Sequence, residues 1–175
     1  MDKISIERIN SLHPKIRDIV GNIYVDEVSK VLGVDTFCRI AYGLRTFKEQ
    51  NELYSLGRTK LFSPNGKRLG IVTNAKAGQS FHNYGLAWDI VLIRNVQGKQ
   101  SAVYETAVDF DKDGVSDWLE VARCFKKINA EWGGDWKGKL YDAPHFQITF
   151  GRTWKNLLEL KRSGNVIVGT EYPII

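Results

Sequence analysis

Only three histidines occur in the 175 residues, and two of them keep company suited to metal chemistry. His82 lies in Ser80-Phe81-His82-Asn83-Tyr84-Gly85-Leu86-Ala87-Trp88-Asp89, and His145 in Asp142-Ala143-Pro144-His145-Phe146-Gln147. Asp89 interrupts an apolar run, Leu86 to Ile93, that reads as a buried strand. A buried carboxylate is costly unless it is paired or bound to a metal. Zinc accepts imidazole nitrogen and carboxylate oxygen, and catalytic zinc sites keep one position for water. His82, Asp89 and His145 supply three such ligands, with Gly85 letting the chain turn between the first two. Asp142, three residues before His145, stays free to act as a base towards that water. The third histidine, His13, sits beside Pro14 at a helix entry and reads as a surface or capping residue.

A second pattern also suits a cation. Asp109, Asp111, Asp113, Asp117 and Glu120 fall at positions 1, 3, 5, 9 and 12 of a loop with Gly114 at position 6. That spacing wraps oxygens around calcium, with Glu120 as the closing ligand. Ser116 stands where an EF-hand loop carries an apolar residue, and no clear helix precedes the loop. The reading is an EF-like calcium loop; the alternative is a solvated acidic turn capping the next helix.

The elements that must position these residues are legible from periodicity. Pro14 to Leu32 carries a helical apolar face with Gly33 as its stop. Thr36 to Tyr42 reads as a strand, and Thr46 with Glu49 forms a capping box for a helix running to about Leu56. Arg58 to Gln79 reads as a long loop. Trp118 to Asn129 and Thr153 to Arg162 have helical spacing, and His145 to Phe150 alternates like a strand. The fold class expected is α+β, a small antiparallel or mixed sheet with helices packed on it. Length points to a single domain, residues 1–175.

Composition narrows the partners. Lys and Arg number 25 against 20 Asp and Glu, a formal charge of +5. An anionic partner fits, be it nucleic acid, phospholipid or bacterial cell wall, but no dense basic cluster marks a nucleic-acid stripe. No apolar run is long enough to span a bilayer. Cys38 and Cys124 are too few for a disulfide scaffold and read as buried thiols. Charges near the start, in Met1-Asp2-Lys3-Ile4-Ser5-Ile6-Glu7-Arg8, leave no signal-peptide core, so synthesis and folding in a cytoplasm are expected. Trp132, Trp136 and Phe146 flank the second cluster and read as core and pocket wall.

The run Ser80-x-His82-x-x-Gly85-x-Ala87-x-Asp89, followed by Asp142-x-x-His145, resembles the zinc D-alanyl-D-alanine peptidase family. That family includes vancomycin-resistance carboxypeptidases and dipeptidases and phage L-alanyl-D-glutamate endolysins. The resemblance spans roughly Ala41 to Phe150 and implies a hedgehog/DD-peptidase-like fold. It implies His82, Asp89 and His145 as zinc ligands and Asp142 as the general base, a position that is often Asp in the endolysin branch. Gly43-Leu44-Arg45-Thr46 matches the family's Gly-x-Arg-[Ser/Thr] segment, so the resemblance assigns Arg45 to the scissile carbonyl or its oxyanion. A fixed guanidinium can stabilise that charge. Ser80 either orients a ligand and touches substrate, or makes a structural hydrogen bond.

The resemblance implies a monomeric, zinc-dependent, endolysin-type peptidoglycan peptidase cutting L-Ala–D-Glu in the stem peptide. It implies calcium responsiveness, as in some phage relatives, and action on the wall after release from the cytoplasm. No nucleic acid and no stable membrane insertion are expected. The alternatives are a D-Ala–D-Ala carboxypeptidase of the same family, or a non-catalytic wall-binding module that retains zinc.

Overall fold

Strand β2 (Ala87–Val96) is the hub of the sheet. The computed structural model describes residues 2–175. In it β2 pairs antiparallel with β1 (Thr36–Tyr42), β3 (Lys99–Val103) and β5 (His145–Gln147). The two-residue β4 (Glu131–Trp132) pairs with the far side of β5. A strand whose two faces are both covered reads as a continuous apolar run. Accordingly β2 is apolar almost throughout, from Ala87 to Ile93, with Asp89 as the exception. Strand β1 alternates instead: Thr36, Cys38 and Ile40 are buried, and the residues between them are less so.

Two compact units are present. The first comprises Met1–Gly43 and Ala87–Ile148, the second Leu44–Leu86 and Thr149–Ile175. The first holds the sheet with α1 (Lys3–Asn10), α2 (Pro14–Ile23) and α4 (Asp117–Lys126). His13 caps α2 by accepting the Lys15 N–H at 3.1 Å, while Pro14 fills the first helical position, where no N–H is required. Capping is as expected, but His13 is buried and not a surface residue. Beyond Ile23 the chain widens into one π turn, Tyr24–Val28, and the expected helix to Leu32 ends there. The wider turn buries both Tyr24 and Val28, and the Tyr24 hydroxyl donates to the Cys38 carbonyl at 2.8 Å. Acidic Asp117 and Glu120 open α4, and Arg123 and Lys126 close it, the arrangement the helix dipole favours. Cys38 and Cys124 are buried and unbridged.

The second unit contains α3 (Phe47–Ser55), a 3-10 turn at Phe81–Tyr84 and α5 (Trp154–Arg162). The Thr46/Glu49 capping box forms as the sequence predicts, and Thr153 with Asn156 makes a second one. Phe47 meets Tyr84 edge to face at 6.2 Å, and Gly78 packs where a Cβ would sit 2.9 Å from Leu158. Residues 58–79 hold no helix or strand, only the isolated bridges Leu56–Lys60 and Phe62–Arg68, as expected of a long loop. From Leu53 to Trp88 there are five cations, Arg58, Lys60, Lys67, Arg68 and Lys76, and no acid, which accounts for the whole excess charge.

Some elements escaped the periodicity. Helix α1, β3 and β4 were not anticipated, and β5 stops at Gln147 and not Phe150, whose φ is +51°. The tail Asn165–Ile175 makes one bridge, Val166–Pro173, and no strand. Among the described residues no helix is long and apolar enough to cross a membrane.

Helix α1 is anchored by Asp2. Its carboxylate caps Ser5, accepts the Ser5 hydroxyl at 2.7 Å and receives two Arg39 N–H groups at 3.0 Å each. Burial pushes this carboxyl up, but the Arg39 and Ser5 hydrogen bonds and the Arg39 charge outweigh it and hold it below 3.8. A lowered carboxyl contributes stability above its unfolded value and loses it as pH falls through the folded one. Asp2→Asn, which keeps a good cap, is expected to cost about 1–3 kcal/mol at neutral pH. In urea denaturation the difference from wild type should shrink below about pH 4.

Candidate metal centre

Strand β5 separates two kinds of side chain. Phe146 points to one face, where it stacks on Trp88 at 5.8 Å and on Trp132 at 6.2 Å, with Phe125 of α4 at 5.0 Å. Trp88 and Trp132 are the register partners of Phe146 on the two flanking strands. His145 and Gln147 therefore share the opposite face. Their register partners are Asp89 on β2 and Glu131 on β4. Of Trp132, Trp136 and Phe146, read as core and pocket wall, Phe146 is fully buried and the two tryptophans are half-buried.

The polar row Asp89, His145, Gln147 and Glu131 is continuously hydrogen bonded. His145 Nδ1 lies 3.1 Å from Asp89 Oδ1, and His145 Nε2 lies 3.1 Å from Gln147 Oε1. Gln147 Nε2 donates to Glu131 Oε2 at 2.8 Å. Burial opposes a charged imidazole at His145. The Asp89 hydrogen bond and charge, the Gln147 hydrogen bond and the Asp142 charge outweigh that burial and raise the His145 pKa above its usual value. Trp136 leans on the His145 ring at 5.3 Å.

His82 sits in the 3-10 turn that leads through Gly85, with φ +67°, into β2. It is 2% exposed. Its carbonyl accepts the Arg45 N–H at 3.0 Å, and Asn83 Nδ2 donates to the Arg45 carbonyl at 2.9 Å. His82 lies in the second unit, and Asp89 and His145 lie in the first, where they face each other across the β2–β5 register. Two imidazoles and one carboxylate, two of them buried histidines, are a donor set that zinc accepts.

Asp142 is held by its backbone. Its N–H donates to the Gly133 carbonyl at 3.0 Å, and its carbonyl accepts the His145 N–H at 3.1 Å. The Trp132 indole donates to the Ala143 carbonyl at 2.8 Å, fixing the same turn. Gly133 fits so closely that a Cβ there would lie 2.3 Å from the Asp142 carbonyl oxygen. The Asp142 residue itself is exposed. Arg45 donates to Gln50 Oε1 at 3.1 Å, and Gln50, fully buried, donates in turn to the Ala75 carbonyl at 2.7 Å. Ser80 accepts the His82 N–H at 3.3 Å, the structural alternative of its two readings.

The acidic loop forms two overlapping groups, Asp109/Asp111/Asp117 and Asp111/Asp113/Glu120, each with ligand atoms within 4.8 Å. The loop folds on its own carboxylates: Asp109 accepts the N–H groups of Lys112 and Gly114, and Asp117 accepts that of Phe110. Oδ2 of Asp117 and Oε2 of Glu120 are buried with no hydrogen-bond partner. Burial and the charges of Asp113, Asp111, Asp117 and Asp109 push the Glu120 carboxyl up to about 7.

The residues missed in the sequence are Glu131 and Gln147. Their types are ordinary, and only the register of β4 with β5 aligns them with His145.

Comparison with known proteins agrees with the geometry. The family described as D-alanyl-D-alanine carboxypeptidase matches residues 73–148, which include His82, Asp89, Asp142 and His145. The chain is 39% identical over 139 residues to the peptidoglycan L-alanyl-D-glutamate endopeptidase CwlK of Bacillus subtilis (strain 168). That match covers 79% of this chain and 74% of the relative. With that extent of likeness, and with the motif residues inside the matched segment, the chain belongs to the D-alanyl-D-alanine carboxypeptidase family and is a peptidase.

Proposed function

We propose that the chain is a zinc-dependent peptidoglycan peptidase of the endolysin type that hydrolyses the L-Ala–D-Glu bond of the stem peptide. The observation that carries this reading is the pairing of Asp89 with His145, 56 residues apart in sequence, across the β2–β5 register, with His82 in the same motif as Asp89. The bond is taken from the endopeptidase relative, whose likeness extends over most of both chains. An anionic wall suits the acid-free, five-cation stretch from Leu53 to Trp88. Residues 1–175 are read as one catalytic domain, monomeric, made in the cytoplasm and acting on the wall after release.

His82, Asp89 and His145 would hold the zinc ion, and the chemistry it supplies when bound is a lowered water pKa and a polarised carbonyl. Asp142 takes a proton from the attacking water and returns it to the leaving amine. Arg45, its guanidinium braced by Gln50, balances the charge that develops on the carbonyl oxygen. Ser80 holds the turn that carries His82. Asp142 separates this reading from a wall-binding module with a structural zinc, because such a module needs no base.

The acidic loop is read as a calcium site that makes the enzyme calcium-responsive. Its support is the pair of buried, unpartnered carboxylate oxygens on Asp117 and Glu120 beside three further acids.

Asp142→Asn is expected to lower kcat about 10²- to 10⁴-fold while the bound zinc, measured by atomic emission, stays at one per chain. Unchanged turnover with zinc in place would remove Asp142 as the base. Mass spectrometry of digested peptidoglycan should find new N-terminal D-Glu; release of free D-Ala instead would assign the D-Ala–D-Ala carboxypeptidase activity.

For the loop, the sign follows from Glu120. A raised carboxyl costs no stability below its unfolded value of 4.5, and the cost grows until the folded group ionises at about 7. In chelator the melting temperature should therefore fall between these pH values. Calcium should restore it, and Glu120→Gln should flatten the profile and abolish the calcium response. A melting temperature and wall-lysis rate indifferent to calcium at fixed zinc would reject the site.

A further inference from the structure

We propose that Gln147 and Glu131 are positioning residues that hold His145 in its Nε2–H tautomer and so aim the Nδ1 lone pair at the metal. The inference rests on the zinc reading above, and it assigns a role to two residues outside the expected ligand set.

The argument is one of donors and acceptors. A carboxylate only accepts hydrogen bonds, so the Gln147 group facing Glu131 Oε2 at 2.8 Å must be its amide NH₂. That fixes the amide orientation and leaves Oε1 against His145 Nε2 at 3.1 Å. An amide oxygen also only accepts, so Nε2 must carry the proton. In the neutral ring Nδ1 is then a bare lone pair, and it faces Asp89 Oδ1 at 3.1 Å. Two acceptors at that distance repel each other unless a second ring proton or a metal ion lies between them. The row thus converts the position of Glu131 into a demand for positive charge beside Asp89.

The fold holds this relay in place. Glu131 is the β4 register partner of Gln147, and Asp89 is the β2 partner of His145, so four side chains from three strands share one face. Gln147 and His145 are each only 9% exposed, which limits competition from water at the amide. Partners of this kind on a metal-binding imidazole commonly change metal affinity about 10- to 100-fold.

Three measurements test the proposal. Nitrogen-15 NMR of histidine-labelled, metal-free wild type, at a pH where the ring is neutral, should show His145 protonated at Nε2; an Nδ1–H ring would overturn the inference without any variant. Gln147→Leu should weaken zinc binding about 10- to 100-fold in competition with a chromophoric chelator and populate the Nδ1–H form. Its kcat should return towards wild type at saturating zinc. Glu131→Gln, whose amide oxygen can still accept from Gln147, should keep zinc affinity within about threefold of wild type, while Glu131→Leu should behave like Gln147→Leu. Equal zinc affinity in wild type and Gln147→Leu, with the ring unchanged, would reject the positioning role and leave the zinc reading intact. Failure of the folded wild type to bind zinc one to one would reject the zinc reading itself, and the NMR result would still decide the tautomer.

Discussion

The pairing of His145 with Asp89 at the candidate metal centre depends on the register between β5 and β2. Only one alignment puts Phe146 against Trp88 and, on the reverse face, His145 against Asp89. The aromatic side sets that alignment. Phe146 and Trp88 are fully buried, and exposing side chains of this size costs a few kcal/mol each. A slip of one residue would turn Phe146 towards the polar face and drive His145 into the aromatic stack, so apolar packing enforces the placement of polar groups. Three residues are a short strand, but β5 is flanked on both sides and its centre is Phe146, so little more is needed to hold it.

The face carrying His145 accepts polar groups because each is matched. Asp89, which breaks the apolar run of β2, is opposed by an imidazole; that imidazole is opposed by an amide, and the amide by a second carboxylate. Isolated burial of any one of them would be unfavourable. Satisfied networks of this kind are rigid, because each group has one compatible orientation. The acidic loop at Asp109–Glu120 is the contrast: there, like charges are gathered, and two oxygens are buried without a donor.

Much of this was legible in the amino-acid order because the chemistry left anomalies. Asp89 stands out against Trp88, Ile90 and Val91, and two of only three histidines lie near acids. The Thr46/Glu49 box announces α3 because both of its hydrogen bonds are local. Local rules fail where long-range packing decides. Tyr24–Val28 continues the helical apolar pattern of α2, yet it forms a π turn, with the Tyr24 hydroxyl bonded to the distant Cys38 carbonyl. Two-residue β4 has no period to detect, and its existence depends on β5 alone. Glu131 and Gln147 were invisible for the same reason: a glutamate and a glutamine sixteen positions apart acquire meaning only once paired across strands. The family resemblance reached His82, Asp89, Asp142 and His145, but not the partners that orient them.

Gly133 carries an implication for how this enzyme can diverge. Because the main chain of Asp142 occupies the volume a methyl group would need at residue 133, any side chain there would displace the turn that carries Asp142. The intervening loop, from Gly134 to Tyr141, can then vary while its two ends stay pinned. Sequence change is thus better tolerated between Gly133 and Asp142 than at either of them.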